Sequence, residues 1–393
     1  MINQINIPDL VDRLTTTLPT SKGPYALHQP SLIGNEGTYL QDCIDSGWVS
    51  SVGSYVNRFE RMLESYTGAK HVIAVVNGTA ALHICLLISG VSKNDEVISP
   101  SLTFVATANA ITYCGATPLF ADCEEDSLGI DPVKLELFLQ NNAILRDGCC
   151  HNKTTGKRIT ALIAMHTFGH PGDIDKIMDV CSKWSIKFIE DAAESLGSLY
   201  KGRNTGTFGL TSAVSFNGNK IITTGGGGAI LTNDDDLAKK ARHITTTSKV
   251  SQDWSFKHDQ VGYNYRLPNI NAAIGCAQME SLENFILQKR LLADKYMSAL
   301  KGFRGLHLFK EPNWAKSNYW LNTLILESGD AETLDAILKA LNESGISARP
   351  AWNLMHTLPM YINCPRMSLK TAESLKHRII NIPSSANLYR KLF

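Results

Sequence analysis

The sequence contains no apolar run long enough to cross a membrane. Its apolar runs, such as residues 72–76, have the length of a β-strand, whereas a membrane-spanning helix needs about 20 predominantly apolar residues. The N-terminus also lacks a basic segment followed by an apolar one, which is the pattern of a secretory signal. We therefore expect a cytoplasmic protein with no membrane partner.

Blocks of like charge are also missing. The 393-residue chain carries 38 lysines and arginines against 37 aspartates and glutamates, a formal net charge of +1. A nucleic-acid-binding surface needs a basic stripe or patch, so the charge pattern predicts no nucleic-acid partner. With 44% apolar residues, the chain can bury a large core, and we expect two or three packed units.

The nine cysteines form neither a disulfide framework nor a zinc motif. Their number is odd, they are scattered along the chain, and a chain of this size needs no covalent staples. Cys149, Cys150 and His151 are adjacent, but no second Cys-x-x-Cys pair completes a tetrahedral site. We expect reduced cysteines, most of them buried, and no metal.

Two glycine-rich signatures of nucleotide binding do not occur. The sequence has no P-loop and no Gly-x-Gly-x-x-Gly, which are the familiar mononucleotide and dinucleotide fingerprints. A nicotinamide-dependent enzyme on an α/β fold is one alternative function for the chain. The missing fingerprint argues against it, although turnover of reduced nicotinamide would revive it.

What the chain does contain is an alternation of short β-branched runs with helical patterns. Such alternation is typical of βαβ units and of a mostly parallel sheet, whose ligands bind at the carboxyl ends of the strands. The predicted strands are residues 71–76, 96–99, 117–121, 160–165, 187–190, 212–216 and 229–231. Helices are predicted to begin at Thr79, Thr103, Pro132, Asp173 and Asp235.

The flanking segments predict the division of an α/β chain into domains. A short helix (9–18) and a strap (19–32) precede two helical patterns, and a long helical pattern runs over residues 269–300. After it come a strand (320–326) and two further helices. We predict an N-terminal helix and strap over residues 1–30, a large domain with a mostly parallel sheet over 31–280, and a linking helix with a smaller C-terminal α/β domain over 281–393.

A phosphate site is predicted where the first strand ends. Gly78, Thr79 and Ala80 follow this strand and open a helix, and free amides at a helix N-terminus bind phosphate without a cationic side chain. The alternative is an ordinary glycine turn with a threonine cap.

Two ionisable residues are predicted to reach the same edge. Asp191 ends the strand at 187–190, where a carboxylate can bind a protonated ring nitrogen, unless it only caps a helix. Lys220 lies in an uncharged run after the strand that contains Ser215. An apolar setting favours the neutral amine, which forms Schiff bases with carbonyls, whereas the alternative is a solvated loop lysine. Together these residues match the aldehyde, phosphate and ring nitrogen of pyridoxal 5′-phosphate (PLP).

Five motifs carry a family resemblance. They are residues 78–82 (Gly-Thr-Ala-Ala-Leu), 103–109 (Thr-Phe-Val-Ala-Thr-Ala-Asn), 190–194 (Glu-Asp-Ala-Ala-Glu), 215–220 (Ser-Phe-Asn-Gly-Asn-Lys) and 262–266 (Gly-Tyr-Asn-Tyr-Arg). In this order the chain resembles the sugar-nucleotide aminotransferases of the DegT/StrS type, which are fold-type I PLP enzymes. The resemblance runs from about residue 28 to the C-terminus.

The resemblance implies a role for each matching residue. Lys220 would hold PLP as the internal aldimine and Asp191 would bind the pyridine nitrogen. The other implied cofactor contacts are Gly78, Thr79 and Ala80 with Ser215 at the phosphate, Phe104 stacked on the ring, Glu194 near the ring hydroxyl, and Asn264 at the phosphate of the neighbouring subunit. The last contact implies a homodimer with shared active sites.

The resemblance further implies transamination. L-Glutamate would donate the amino group, pyridoxamine phosphate would be the intermediate form, and a nucleotide-linked keto sugar would accept it; members with histidine at the position of Lys220 are dehydratases. Six segments resemble the branch acting on UDP-2-acetamido-2,6-dideoxy-4-hexulose, which feeds legionaminic acid and bacillosamine synthesis. They are the run Asn217-Gly-Asn, the four glycines at 225–228, and residues 348–352, 354–356, 358–361 and 381–385. A GDP- or dTDP-linked 4-keto-6-deoxy sugar, or a non-catalytic sugar-nucleotide-binding role, are the alternatives.

Eight polar positions are candidates for contacts to the sugar and diphosphate. For each of them a structural role is equally open. They are Ser50, Ser51, Gly53, His166, Tyr265, Arg266, Arg349 and His356.

Overall fold

The computed structural model describes residues 5–19, 23–250 and 256–389. Helices follow the predicted segments closely, with differences of a few residues at their ends. They are α1 (Ile7–Thr17), α2 (Glu36–Ser46), α3 (Ser54–Thr67), α4 (Gly78–Ile88), α5 (Val105–Tyr113), α6 (Pro132–Asn142), α7 (Ile174–Lys183), α8 (Asp235–Thr245), α9 (Asn269–Ala299), α10 (Ala331–Glu343) and α11 (Lys370–Lys376). Short 3₁₀ turns occur at Thr167–Gly169, Met355–Thr357 and Ala386–Tyr389.

The strands build one large sheet, one smaller sheet and several short ribbons. They are β1 (His71–Val75), β2 (Glu96–Pro100), β3 (Thr117–Ala121), β4 (Ala143–Arg146), β5 (Cys149–Asn152), β6 (Ile159–Met165), β7 (Lys187–Asp191), β8 (Leu199–Tyr200), β9 (Arg203–Asn204), β10 (Thr211–Ser215), β11 (Gly228–Thr232), β12 (Lys249–Val250), β13 (Lys257–His258), β14 (Leu306–Leu308), β15 (Ala315–Lys316), β16 (Asn322–Leu326), β17 (Arg349–Pro350) and β18 (Ile379–Ile382).

The central sheet has the strand order β1-β11-β10-β7-β6-β2-β3. Strand β11 runs antiparallel to both of its neighbours, and the remaining pairs are parallel. Nearly every residue of these strands is buried, as expected for a sheet covered on both faces. The predicted α/β fold with a mostly parallel sheet is therefore confirmed.

Helices cover both faces of the central sheet. Helix α4 packs on one face and is buried almost all round, which suits its nearly continuous apolar sequence. On the other face α3 and α9 approach closely at Gly275, where an added Cβ would lie 2.7 Å from the ring of Phe59. That ring meets Phe216 edge-to-face with centroids 5.0 Å apart.

The smaller sheet has the order β14-β16-β18-β17 and is antiparallel. Its core includes residues of α1, α10 and the C-terminal half of α9, among them Leu10, Leu292 and Leu334. Helix α9 has 31 residues and crosses residue 280, where we placed a domain boundary. Because this helix contributes to the cores of both sheets, it marks no boundary at residue 280, and the division at residues 30 and 280 stays a prediction.

The hairpin of β4 and β5 was not predicted. It places Cys150 in the core and leaves Cys149 partly exposed, because the two residues point to opposite faces of a strand. Among the described residues no group of His, Cys, Asp and Glu side chains could hold a metal ion. No helix within the described ranges is long and apolar enough to span a bilayer.

Candidate active site

A cavity of about 290 Å³ opens at the carboxyl edge of the central sheet. The ends of β1, β7 and β10 and the start of the antiparallel β11 meet here, with Gly228 in register with both Val75 and Ser215. Most of the predicted cofactor residues line this single cavity. They are Gly78, Thr79, Phe104, Asp191, Glu194, Ser215 and Lys220.

The amine of Lys220 is largely buried and has two partners. Its Nζ lies 3.1 Å from Glu194 Oε1, and the side chain is 12% exposed. The same atom lies 4.0 Å from the ring centroid of Trp320. The lysine follows a turn in which its backbone N–H donates to Asn217 O at 3.0 Å. The alternative of a solvated loop lysine does not fit these contacts.

The carboxylate of Asp191 is held at the end of β7. Thr107 Oγ1 donates to its Oδ2 at 2.8 Å, and Ala193 N donates to its Oδ1 at 3.2 Å. Burial raises the pKa of Asp191, while the bond from Thr107, the Ala193 amide and the charge of Lys220 act in the opposite direction. A cationic ring nitrogen would compensate this burial, because a nearby opposite charge favours the ionised carboxylate.

Glu194 is a buried acid beside the lysine. Burial raises the pKa of Glu194 to about 7, and the charge of Lys220 limits the rise. Its second oxygen accepts from the backbone N–H of Phe168 at 2.9 Å. The group therefore changes its charge near neutral pH while it faces the amine.

The first turn of α4 forms the opposite wall. Ala80 N donates to the side-chain oxygen of Asn77 at 2.7 Å, so this predicted phosphate amide is already engaged and Ala80 is not part of the cavity lining. The amides of Gly78 and Thr79 belong to the helix positions that have no intrahelical acceptor. An added Cβ at Gly78 would lie 2.8 Å from Ser215 Cβ, so glycine brings these amides close to the Ser215 hydroxyl.

Aromatic rings line the mouth of the cavity. Phe104 is 48% exposed. Its ring meets Trp352 at 6.3 Å between centroids, and Trp352 also packs on Phe168 at 4.9 Å. The exposed face of Phe104 is available for stacking on a planar ring.

The N-terminal sugar candidates lie away from the cavity. The backbone oxygen of Ser50 accepts from Asn269 N at 2.7 Å. A Cβ on Gly53 would lie 2.2 Å from the side chain of Asn269, so glycine is required there for packing against α9. Neither these two residues nor Ser51 lines the cavity.

The segment around residue 264 also lies outside the cavity lining. Asn264 is exposed and forms an isolated bridge with Thr246. Tyr265 stacks on Tyr263 at 5.0 Å, and its backbone oxygen accepts from Val76 N. Burial lowers the pKa of Arg266, whose guanidinium lies 3.5 Å from Glu60 and whose Nε has no partner among the described residues.

The remaining candidates are also displaced from the cavity. The backbone N–H of His166 donates to the backbone oxygen of Asp191 at 3.2 Å. The ring Nε2 of His166 lies 3.0 Å from the carboxylate of Glu190. His356 is buried against Ser101, with 2.7 Å between Nδ1 and Oγ, and burial lowers its pKa. Arg349 is exposed on the smaller sheet.

Several lining residues were missed from the sequence. Asn217 and Asn219 flank the turn before the lysine, and the adjacent motif could have identified them. Trp320 and Trp352 come from the C-terminal part of the chain. They carry no local signal, because only the fold brings them to the cavity.

The residues present fit PLP. The cavity combines an amine, a buried carboxylate and a helix N-terminus with a neighbouring hydroxyl, which are the partners that the aldehyde, ring nitrogen and phosphate need. The close approach of Gly78 to Ser215 leaves the phosphate end of the cavity lined by backbone donors. An exposed aromatic face lies at its mouth.

Comparison with known proteins identifies the family. The DegT/DnrJ/EryC1/StrS aminotransferase family matches residues 30–391. GDP-perosamine synthases of Vibrio cholerae and Caulobacter vibrioides are each 38% identical, covering 91% of this chain and 93% and 92% of those proteins. The crystal structure of a DegT DnrJ EryC1 StrS aminotransferase from Brucella abortus is 28% identical, with a TM-score of 0.80 and coverage of 90% of both chains. The chain belongs to the DegT/DnrJ/EryC1/StrS family and is a PLP-dependent sugar-nucleotide aminotransferase.

Proposed function

We propose that this enzyme transfers the amino group of L-glutamate to C4 of a nucleotide-linked 4-keto-6-deoxy sugar, with Lys220 and Asp191 as its catalytic residues. The observation that carries the proposal is the meeting of Lys220, Asp191 and the first-turn amides of α4 in one cavity. The two catalytic side chains are 12% and 3% exposed. Burial strengthens their electrostatic interactions with a bound cofactor.

Each residue has one task in this proposal. When bound, the cofactor would supply an electron sink for the donor's α-carbon and a carrier for the amino group. Lys220 Nζ takes the proton from that carbon in the half-reaction with the donor. In the half-reaction with the keto sugar it delivers a proton to C4 of the sugar. Asp191 keeps a proton on the ring nitrogen, and Phe104 stacks on the ring.

The phosphate and the ring hydroxyl need further partners. The amides of Gly78 and Thr79 and the hydroxyl of Ser215 hold the phosphate. We keep Ala80 as a secondary contact, because its amide must first release Asn77. Glu194 would bind the ring hydroxyl, and because its Oε1 lies 3.1 Å from Lys220 Nζ it can share a proton with the amine.

For the nucleotide, the named relatives favour GDP. The UDP-2-acetamido-2,6-dideoxy-4-hexulose assignment, with its link to legionaminic acid and bacillosamine, rests on local motifs of the sequence. They are residues 217–219, 225–228, 348–352, 354–356, 358–361 and 381–385. Relatives at 38% identity are GDP-perosamine synthases, which supports the GDP alternative. We therefore propose a GDP-linked 4-keto-6-deoxyhexose as the first candidate and the UDP sugar as the second.

The enzyme is further proposed to work as a homodimer with shared sites. Asn264 is exposed and does not line the cavity of its own subunit, as expected if it serves a neighbouring subunit. Large apolar side chains are exposed along residues 32–52, and such patches mark interfaces. They are Leu32, Ile33, Ile44, Trp48, Val49 and Val52.

In a dimer, the sugar-contact candidates that do not line the cavity of their own subunit could contact a ligand in the neighbouring one. Ser50 and Ser51 lie within the exposed apolar segment at residues 32–52 and Gly53 directly follows it, so a second copy bound to this segment would lie next to all three residues. Tyr265 and Arg266 adjoin Asn264. We propose that these five residues, with His166, Arg349 and His356, be tested as sugar or diphosphate contacts.

Borohydride reduction tests the catalytic assignment. Reduction of the PLP-loaded protein is expected to bleach its visible absorption and to leave a cofactor mass on Lys220. Lys220→Ala should lose transamination and the tag. Lys201→Ala is the matched control, since Lys201 is an exposed lysine that pairs with Asp175. A colourless, untagged wild-type protein would support the non-catalytic alternative.

A panel of 4-keto sugars tests the acceptor. The purified enzyme is assayed with L-glutamate and GDP-, UDP- or dTDP-linked 4-keto-6-deoxy sugars, and the amino-sugar product is identified by mass spectrometry. The GDP sugar is expected to give the largest kcat/KM. A clear preference for the UDP sugar would reverse the order of the two candidates.

A further inference from the structure

One side chain of the smaller-sheet region reaches the amine of Lys220. Trp320 lies just before β16, is 4% exposed, and presents its ring 4.0 Å from Lys220 Nζ. The indole N–H donates to the backbone oxygen of Asn219 at 2.7 Å. The tryptophan therefore contacts both the reactive amine and the residue that precedes it.

The backbone of Trp320 is fixed from two further directions. Its N–H donates to Asn318 Oδ1 at 2.8 Å, and its carbonyl accepts from Lys289 Nζ at 3.0 Å. Lys289 lies on α9, is fully buried, and also donates to the carbonyl of Ser384. Burial lowers the pKa of Lys289 well below its usual value, and a buried amine needs such acceptors whether or not it is charged, so the lysine ties the Trp320 backbone to the smaller sheet.

An aromatic face attracts an ammonium ion far more than a neutral amine, because the negative face of the ring meets a full positive charge. We infer that Trp320 is a positioning residue whose ring face makes the free, neutral amine of Lys220 a better proton acceptor, so that the amine gains and keeps the proton it takes from the amino donor. This inference rests on the proposed role of Lys220 as the base. Trp320 itself transfers no proton.

Other charged groups also face this amine. Glu194 lies 3.1 Å from Nζ, Asp191 acts on it through the cavity, and the ring of His28 is packed toward Trp320 at 6.5 Å between centroids. Burial, followed by the charges of Lys289 and Lys220, lowers the pKa of His28 well below its usual value. Glu194, Asp191 and His28 are all retained in the variants of Trp320, so the comparison of a variant that keeps an aromatic ring with one that lacks it reports the ring.

The test measures how Lys220 of the cofactor-free full chain reacts with an acylating reagent between about pH 7 and pH 11, by mass spectrometry of each lysine. Only the neutral amine reacts, so the midpoint of the profile reports protonation and the plateau reports access. For Trp320→Leu we expect the midpoint at lower pH and about tenfold more reactive amine below it. Trp320→Phe keeps a ring face and should stay close to wild type.

The two variants both lose the bond to Asn219, so their difference isolates the ring. Exposed Lys201 is the internal control for folding and reagent, and its profile should be the same in all proteins. Equal midpoints for Leu, Phe and wild type would overturn the inference, and so would a changed plateau with an unchanged midpoint.

A second measurement connects the contact to the reaction. In the PLP-loaded enzyme, the pH profile of the half-reaction with L-glutamate should shift in Trp320→Leu in the same direction as the reactivity profile. A shifted reactivity profile with an unshifted half-reaction would also overturn the inference. Failure of the borohydride tag at Lys220 would instead overturn the proposed function, and the reactivity profile would still be measurable.

Discussion

Glu194 links the cavity to solution pH. Its pKa of about 7 is above that of an ordinary glutamate, about 4.3, because the folded protein buries it. Between these values the folded state keeps a proton that the unfolded chain releases, so the free energy of unfolding falls as pH rises. Below the lower value both states are protonated, and above the higher value both are ionised.

Glu194→Gln should remove this dependence. We expect the free energy of unfolding of the wild type, relative to the variant, to fall as pH rises from about 4.5 to about 7 and then to level off. Urea unfolding of the cofactor-free proteins at several pH values measures the difference. Titrating groups that do not interact with Glu194 contribute equally to the two proteins, so a flat difference would contradict the assignment.

Asp191→Asn should slow both halves of the reaction by about 100-fold or more, because a preorganised charge at the ring nitrogen is lost. Single-turnover rates with L-glutamate and with the keto sugar measure the effect. Asp175→Asn is the control, since its carboxylate is half-exposed and pairs with Lys201. Equal rates for Asp191→Asn and wild type would assign the ring nitrogen to another residue.

For single residues, the sequence predicted those cavity residues that belong to local motifs. Lys220, Asp191 and Gly78 each end or follow a predicted strand, and parallel strands bring their carboxyl ends to one edge. Trp320 could not be predicted in this way. It lies 100 residues after the lysine, and its contact depends on how the smaller sheet packs.

Among the elements, the start of α4 and the end of β10 determine the phosphate site together. Gly78→Ala would place a Cβ 2.8 Å from Ser215 Cβ, and overpacking of this kind costs about 1–3 kcal/mol. We expect PLP to bind the cofactor-free variant about tenfold more weakly, because the amides and the hydroxyl move apart. Equilibrium titration of PLP absorbance measures this affinity.

The matched control for this prediction is Gly172→Ala. Gly172 precedes α7 outside the cavity lining, and an added Cβ there would meet its nearest atom, Ile177 Cδ1, at 3.8 Å, which is an ordinary contact. Its affinity for PLP should equal that of the wild type. If both variants bind PLP with wild-type affinity, the amides of α4 do not form the phosphate site.

The elements themselves were largely predictable because their signals are local. The strands around the cavity have continuous apolar runs, and α4 opens directly after Asn77, whose side chain caps it. The β4–β5 hairpin was missed because its residues Cys149–Asn152 carry no alternating pattern. Its pairing depends instead on buried contacts such as the bond from Asn152 to Glu96.

For the whole molecule, the proposed dimer gives the next prediction. Trp48 is 57% exposed within the apolar segment at residues 32–52, and a charge there would have to be desolvated in an interface. Trp48→Asp should shift the enzyme from dimer to monomer in analytical ultracentrifugation. Val133→Asp, at a 69% exposed position on α6, should leave the dimer intact. A monomeric wild type would contradict the proposal.

Shared sites can be tested in the same proteins. Lys220→Ala and Asn264→Ala homodimers each carry a defect in both sites. A mixed dimer has one site with both defects and one site with neither, so mixing and refolding should restore part of the activity. If mixing restores none, Asn264 acts within its own subunit or not at the cofactor.

The 31 residues of α9 begin beneath the central sheet and end beneath the smaller one, with Lys289 anchoring Trp320 on the way. A fragment cut after the central sheet would retain the lysine, the aspartate and the phosphate amides, yet the amine would lose the indole that covers it. The truncated chain would still contain the reactive residues, but the amine of Lys220 would be exposed to bulk water. Attempts to shorten this protein should therefore spare its C-terminal third.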